Sequence, residues 1–295
     1  MPELPEVETI RRDLESSLVG CKLISSEILF EKTARNGAAF FENVLVGKTL
    51  KNVSRRGKLL ILQFAPDIFL LVHLKMTGQL IYIKGNKKIA GGHSISLKSE
   101  NNFLSSVGGT LPNKHTRAIF SFAGGGKLFF NDLRKFGYLK IVDKKELALI
   151  LENNYGPEPL EVALNFSYLS KILKGRKTKI KALLLDQKLV SGLGNIYVDE
   201  ALFAAGVLPH RLAGTLNEEE IKKLLKAINS IIKKAILHRG TTFSDYRDSE
   251  GKKGNFSKFL QVYGRGKELC KKCGKPLHKA KIAGRGSHYC LNCQK

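Results

Sequence analysis

Four of the five cysteines fall in the last 26 residues, as Cys270-x-x-Cys273 and Cys290-x-x-Cys293 with 16 residues between the pairs. A segment so short cannot bury enough apolar surface to fold unaided. Two Cys-x-x-Cys knuckles at this separation bring four thiolates to the corners of a tetrahedron, the ligand set of structural zinc. His278 and His288 could compete as ligands, but a complete set of thiolates makes them unnecessary. Two disulfides are the alternative; the first twenty residues carry acids and no basic-then-apolar leader, which favours a reducing compartment. Cys21 is left over. The metal is expected to fold the C-terminal module and do no chemistry, since Leu269, Leu277, Ile282, Tyr289 and Leu291 are the few apolar residues around the thiolates in sequence.

Charge narrows the partners. Fifty Lys and Arg against 26 Asp and Glu leave +24, and residues 251–295 hold twelve of those cations against the single acid Glu268. Such an excess repels basic partners and attracts polyanions, either nucleic acid or an anionic membrane surface. No apolar run approaches the roughly 18 residues of a membrane span. With 43% hydrophobic residues the chain has enough material for a core, so disorder is excluded, and 295 residues suggest about two domains. A soluble intracellular protein is expected.

Along the chain, Val7, Ile10, Leu14 and Leu18 recur at helical spacing after Pro5 and before Gly20. Short runs rich in β-branched and aromatic residues follow, among them 58–64, 68–72, 117–122 and 127–130, punctuated by Pro66-Asp67 and Gly124-Gly-Gly126. Residues 20 to about 142 therefore read as a β-sandwich or barrel. The interval Lys84 to Lys114 is full of Gly, Asn, Ser and Lys, with only Ser94 to Leu97 strand-like, and reads as a long exposed loop. After Asp143 the period turns helical, through 146–151, 168–174, 179–185 and 196–205. The longest helix is announced by the N-cap Asn217 and the acids Glu218, Glu219 and Glu220, and is closed by Gly240. Gly240 to Tyr263 has no period and reads as a long functional loop.

Two more segments carry chemistry. Leu189-Val-Ser-Gly-Leu-Gly-Asn195 before a helix suits a turn whose Gly192 and Gly194 let backbone amides approach a phosphate; by itself it could be a simple turn. The acid-free stretch Lys171, Lys174, Arg176, Lys177, Lys179 and Lys181 precedes it. At the other end, removal of Met1 would leave Pro2 as a free secondary amine, neutral in useful fraction near pH 7 and able to attack a sugar C1′, with Glu3 beside it for general acid work. Read singly, Pro2, Glu3, Pro5 and Glu6 merely begin a helix well.

Together these residues resemble the formamidopyrimidine-DNA glycosylase family, in the endonuclease VIII superfamily. Met1-Pro-Glu-Leu-Pro-Glu-Val-Glu-Thr9 looks like its opening, Arg55-Arg-Gly-Lys58 like its lysine strand, and His73-Leu-Lys-Met-Thr-Gly78 like its first intercalation loop. Asp132-Leu-Arg-Lys-Phe-Gly137 is similar to the second such loop, Gly194-Asn195 to the turn of its helix-two-turns-helix, and Gln261-Val-Tyr-Gly-Arg265 to the lead into its zinc finger. The endonuclease VIII branch usually opens Pro-Glu-Gly-Pro, whereas position 4 here is Leu. Two departures stand out: the 84–114 stretch is longer than the family pattern, and Leu133 replaces a common Pro.

The resemblance implies an α+β multidomain fold: an N-terminal catalytic β-sandwich with an opening helix (1–142), a helical helix-two-turns-helix domain (143–240), a lesion-recognition loop (241–263) and a four-Cys zinc finger (264–295). It implies excision of oxidised purines (8-oxoguanine, formamidopyrimidines) from damaged double-stranded DNA, followed by β,δ-elimination, by a monomer in the cytoplasm, associated with the nucleoid. Pro2 would be the Schiff-base nucleophile, Glu3 the acid that opens the deoxyribose, Lys58 a phosphate contact that assists β-elimination, and Arg265 the phosphate ligand for δ-elimination. Met76, Arg134 and Phe136 would fill the gap left by the flipped nucleotide; His115, Arg176 and Asn195 would contact the backbone. The alternatives are an endonuclease VIII-like enzyme for oxidised pyrimidines and a non-catalytic zinc-ribbon DNA-binding protein, for which a free amine has no use.

Overall fold

The computed structural model describes residues 1–94, 103–241 and 256–295. They form two compact units: Met1–Leu151 with His238–Asn255, and Glu152–Leu237 with Phe256–Lys295.

The first unit runs α1 (Leu4–Leu18), β1 (Leu23–Ile28), α2 (Ala38–Leu45), β2 (Leu50–Arg56), β3 (Leu59–Phe64), β4 (Ile68–His73), β5 (Gly78–Lys84), β6 (Lys87–Gly92), α3 (Phe103–Val107), β7 (Thr116–Phe122), β8 (Lys127–Asp132), β9 (Tyr138–Asp143) and α4 (Lys144–Asn154). Its strands make two antiparallel sheets, β1-β7-β8-β5-β6 and β2-β3-β4-β9. Leu60, Leu62, Leu70 and Val72 of one sheet and Leu80, Tyr82, Phe120 and Phe130 of the other close on a single core, joined by Val7, Ile10, Leu14 and Leu18 of α1. This is the expected β-sandwich with an opening helix.

Three local expectations change. Helix α1 starts at Leu4, so Pro5 lies inside the first turn, where its missing N–H costs nothing, and Glu3 is the N-cap. Helix α2 stands where only strands were expected; it buries Phe41 and Leu45 in the core. The 84–114 stretch is not a bare loop: β6 pairs with β5 from Gln79↔Gly92 to Lys84↔Lys87. Ala90 of β6 extends the row Ile81, Phe129 and Ile119 on the outer face of the five-stranded sheet, and Val107 of α3 covers that row. That cover explains why β7 and β8 are apolar on both faces rather than alternating. Of the strand-like Ser94 to Leu97, all but Ser94 lies outside the described residues.

The second unit contains α5 (Phe166–Leu173), α6 (Ile180–Leu185), α7 (Asn195–Ala205), α8 (Glu218–Leu237) and the hairpin β10 (His278–Ile282) with β11 (Arg285–Tyr289). Helix α8 begins as expected. Asn217 Oδ1 accepts the Glu220 N–H, and the Glu220 carboxylate accepts the Asn217 N–H, both at 2.9 Å. The buried stripe is Ile221, Leu224, Ile228 and Ile232, while Leu225, Ile231 and Ile236 are only partly covered. Between 240 and 263 the described part includes a short 3₁₀ turn, Phe256–Phe259; residues 242–255 lie outside the described residues. Among the described residues no helix is long and apolar enough to cross a membrane.

Candidate active site and nucleic-acid interface

Pro2 and Glu3 are buried at the head of α1, Glu3 only 2% exposed. The Glu3 N–H donates to Glu6 Oε2 at 2.9 Å, and the other oxygen of this fully buried carboxylate accepts the Thr241 N–H at 2.7 Å and its hydroxyl at 3.1 Å. Gly240 is required here. At φ 78° a Cβ would stand 2.5 Å from Glu6 Oε1. One turn on, Glu8 takes Arg12 at 2.7 Å and Arg55 at 2.9 Å, with Arg11 alongside. Burial opposes its ionisation, but the hydrogen bonds from Arg11 and Arg12 and the Arg55 charge overcome it and hold the carboxyl below the usual range.

Lys58 is buried in the two-residue turn between β2 and β3, bounded by the pair Arg56↔Leu59. Strand β4 ends opposite it, because Leu59 pairs with His73 and His73 with Tyr138 of β9. The His73 imidazole is driven down to about 3 by burial and then by the charges of Lys75, Lys58 and Arg35. Its Nδ1 accepts the Lys75 N–H at 3.0 Å, so the ring is neutral with its proton on Nε2. Arg35 lies 3.8 Å over the Tyr138 ring, and burial followed by the Arg35 charge lowers the Lys75 ammonium. Lys58, Lys75 and Arg35 thus surround one neutral imidazole, a concentration of positive charge and N–H donors of the kind that would suit an anion. Sequence reasoning named Lys58 but not Arg35 or His73, which the structure sets near it, although His73 stood inside a quoted motif. It also missed His93, just past β6, which donates its N–H to Gly78 O at 3.1 Å. Burial and the N-terminal ammonium push that imidazole down, against the pull of Asp132.

Two loops of this unit end in exposed apolar side chains, Met76 at 36%, Leu133 at 45% and Phe136 at 53%. Arg134 joins them, its Nη1 3.2 Å from Met76 Sδ and its guanidinium 4.7 Å from the Phe136 ring. The structure therefore brings Met76, Arg134 and Phe136 together. His115 sits just before β7, with its pKa lowered by burial and by Lys114 and Arg117.

In the second unit the turn between α6 and α7 is built by Gln187. Its Nε2 donates to Leu185 O and Leu193 O, and its Oε1 accepts the Gly192 N–H at 2.9 Å. Asn195 opens α7 and donates to Gly286 O of the hairpin at 2.9 Å, while Arg176 is exposed. Arg265 lies after a chain segment held by Glu200, whose carboxylate accepts the N–H groups of Gln261, Val262 and Tyr263. Burial raises the Glu200 carboxyl despite these three donors. The Arg265 guanidinium itself bridges Glu268, Gln261 O and Leu269 O.

The four sulfurs of Cys270, Cys273, Cys290 and Cys293 lie within 4.8 Å of one another, with Cys273–Cys290 at 3.5 Å and Cys270–Cys293 at 3.9 Å. These edges fit a tetrahedron around a zinc ion with Zn–S bonds of about 2.3 Å. The packing differs from the expectation: Leu269 and Leu291 are exposed, and the finger's core is made by Phe203 of α7, Val262 and Leu277.

A β-sandwich with a buried N-terminal turn and a cluster of cations, and a helical unit carrying a four-thiolate finger, define a zinc-bearing nucleic-acid-binding protein. The comparisons narrow this class. The formamidopyrimidine-DNA glycosylase N-terminal domain matches residues 1–139, the H2TH domain of the same family residues 155–247, and the zinc finger found in FPG and IleRS residues 267–295. The formamidopyrimidine-DNA glycosylases of Desulforamulus reducens and Pelotomaculum thermopropionicum are 42% and 40% identical, each over 100% of this chain and 99% of the relative. The Lactococcus lactis Fpg in complex with DNA containing an abasic site has a TM-score of 0.86 at 36% identity, over 99% of both chains. MutM in complex with DNA containing carbocyclic 8-oxo-G has a TM-score of 0.85 at 34% identity, over 100% of both. The chain belongs to the formamidopyrimidine-DNA glycosylase family, and is a zinc-finger DNA glycosylase of a family with abasic-site lyase activity. A non-catalytic zinc ribbon is thereby set aside.

Proposed function

We propose that this chain excises oxidised purines, 8-oxoguanine and formamidopyrimidines, from duplex DNA and then cuts the strand by β,δ-elimination, acting as a monomer at the nucleoid. The observation that carries the reading is the burial of Glu3, one residue after Pro2, in a turn fixed by Glu6. With Met1 removed, the Pro2 lone pair attacks C1′ and the C1′–N bond to the base breaks. Glu3 protonates O4′ as the sugar opens, leaving an iminium between Pro2 and C1′. Loss of a C2′ proton expels the 3′ phosphate, and a second elimination expels the 5′ phosphate. Lys58 and Arg265 serve these two steps by holding phosphate. Met76, Arg134 and Phe136 fill the gap in the stack, with Arg134 facing the orphaned cytosine, and His115, Arg176 and Asn195 contact the backbone. Zinc supplies no chemistry; it holds the finger's cationic hairpin in shape. The neighbours in complex with DNA carrying Fapy-dG and carbocyclic 8-oxo-G support the choice of purines.

Borohydride tests the chemistry. It should reduce the iminium and trap a covalent complex with lesion-containing duplex through the peptide that begins at Pro2; intact duplex binding without a trapped species would overturn the reading. Segment 242–255, outside the described residues, is assigned to closing over the flipped base because the family resemblance implies a lesion-recognition loop there, a role that its Gly-, Ser- and Asp-rich composition suits. Replacing Thr242–Asn255 by glycines should spare abasic-site cleavage and slow 8-oxoguanine excision. Equal loss on both substrates would make the segment a linker.

A further inference from the structure

The roots of the two exposed loops meet on one buried carboxylate. Asp132, at the end of β8, is fully buried. Its Oδ1 accepts the Thr77 hydroxyl at 2.5 Å and the Arg134 N–H at 3.1 Å; its Oδ2 accepts the Gly137 N–H at 2.6 Å. Thr77 Oγ1 also accepts the Arg134 N–H, at 2.9 Å. The Asp132 backbone is pinned as well, its N–H to His115 O at 2.9 Å and its carbonyl by Arg117 Nε at 3.0 Å. A Cβ on Gly137 would lie 2.7 Å from Phe130 Cζ and 3.1 Å from Asp132 Oδ2, so only glycine lets the second loop return this close.

Neither loop keeps its shape by local preference. Each turns through a lysine in the left-handed region, Lys75 at φ 50° and Lys135 at φ 60°, a conformation that costs about 1 kcal/mol when a Cβ is present. Their shape must be held by contacts between them, and at their buried roots the Asp132 carboxylate of the second loop bonds Thr77 of the first as well as the Arg134 and Gly137 N–H groups of its own.

We propose that Asp132 and Thr77 are positioning residues that lock the two loops into a single wedge, fixing Met76, Arg134 and Phe136 in one register before DNA arrives. The inference rests on the wedge role given to those three residues under the proposed function. Extruding a nucleotide from the stack costs a few kcal/mol, and a wedge that had to order itself during insertion would lose part of the compensation to its own entropy. Asp132 is buried and reaches no DNA, so its influence belongs to base extrusion and not to the amine chemistry.

Thr77→Val keeps the shape and removes the hydroxyl at the junction. It should slow excision of a damaged base from duplex by about tenfold, the effect of one buried hydrogen-bonding group. Cleavage of an abasic site in a single-stranded oligonucleotide, where no partner base is displaced, should stay within about twofold of the parent. Thr77→Ser, which keeps the hydroxyl and drops the methyl, should restore duplex excision. Asp132→Asn should lose at least as much as Thr77→Val and show a weaker rise of 2-aminopurine fluorescence beside the lesion; if it fails to fold, the two Thr77 variants decide. Met76→Ala and Phe136→Ala separate the layers. If they leave duplex excision unchanged, the wedge itself is wrong. If they slow it while Thr77→Val stays within about twofold of the parent, the clasp is overturned and the wedge stands. Equal loss by Thr77→Val on duplex and single-stranded substrates would also overturn the clasp.

Discussion

Glu6 and Thr241, 235 positions apart in sequence, are joined by a 2.7 Å hydrogen bond from the Thr241 N–H to Glu6 Oε1. The same carboxylate holds the Glu3 N–H on its other oxygen. One buried acid thus ties the turn that carries Pro2 and Glu3 to the residue where the Gly240–Tyr263 segment begins. Glu6→Gln keeps the volume but offers an NH₂ where one backbone N–H needs an acceptor. The expected cost is about 2 kcal/mol of stability. Thermal unfolding should record a fall of several degrees, together with slower trapping by borohydride. An unchanged melting temperature and trapping rate would show that the carboxylate ties nothing.

His73 gives a pH dependence with a definite sign. Its folded pKa is lowered to about 3 from a usual value of 6.5, so the unfolded chain binds the extra proton between those limits. Stability attributable to His73 is present above pH 6.5 and is lost as pH falls toward 3, by no more than about 1.4 kcal/mol per pH unit. His73→Asn should flatten the dependence of melting temperature on pH in that window. A slope identical to the parent's would assign the acid sensitivity to other groups.

Removing the metal should separate binding from chemistry. Chelation or Cys290→Ser takes away the element that holds the hairpin, leaving Phe203, Val262 and Leu277 as its main apolar support. Duplex affinity should fall, and the salt dependence of binding should become shallower as phosphate contacts from the hairpin are lost. The Pro2 amine should remain reactive toward a small aldehyde. Unchanged affinity in protein shown by elemental analysis to hold no zinc would refute the role of the finger.

What the sequence disclosed was what is local in it. Strands β3, β4, β7 and β8 were legible because unbroken apolar runs between turn residues specify buried strands whatever surrounds them. Helix α2 was not, since Ala-Ala-Phe-Phe-Glu-Asn-Val-Leu has no clean helical stripe and is settled by Phe41 and Leu45 entering the sandwich. The helix within 84–114 escaped because Val107 finds its partners on a sheet face formed by distant segments, and β6 escaped because Lys-Lys-Ile-Ala-Gly-Gly carries no apolar run although it pairs with the adjacent β5. The site divides in the same way. Pro2, Glu3 and the four cysteines lie in contiguous motifs, whereas Arg35 and His73 acquire meaning only when the pairing of β4 with β9 sets His73 opposite Tyr138.

The second unit holds an ion pair without exposure on either side: Lys181 Nζ donates to Asp199 Oδ1 at 2.5 Å. Asp199 Oδ2 accepts the His288 N–H of β11 at 2.9 Å, so α6, α7 and the hairpin share one carboxylate. Truncating one partner strands a charge, whereas replacing both with apolar residues removes the desolvation penalty along with the attraction. Lys181→Met should therefore cost about 3–5 kcal/mol, and the pair Lys181→Met with Asp199→Leu should recover most of it. Recovery should stop about 1 kcal/mol short, because the His288 N–H has then lost its acceptor. Urea unfolding of parent, both single variants and the double variant measures the coupling. A single variant within about 1 kcal/mol of the parent would mean that water or a neighbouring group satisfies the buried charge, and would remove the pair from the forces that hold the hairpin on α7.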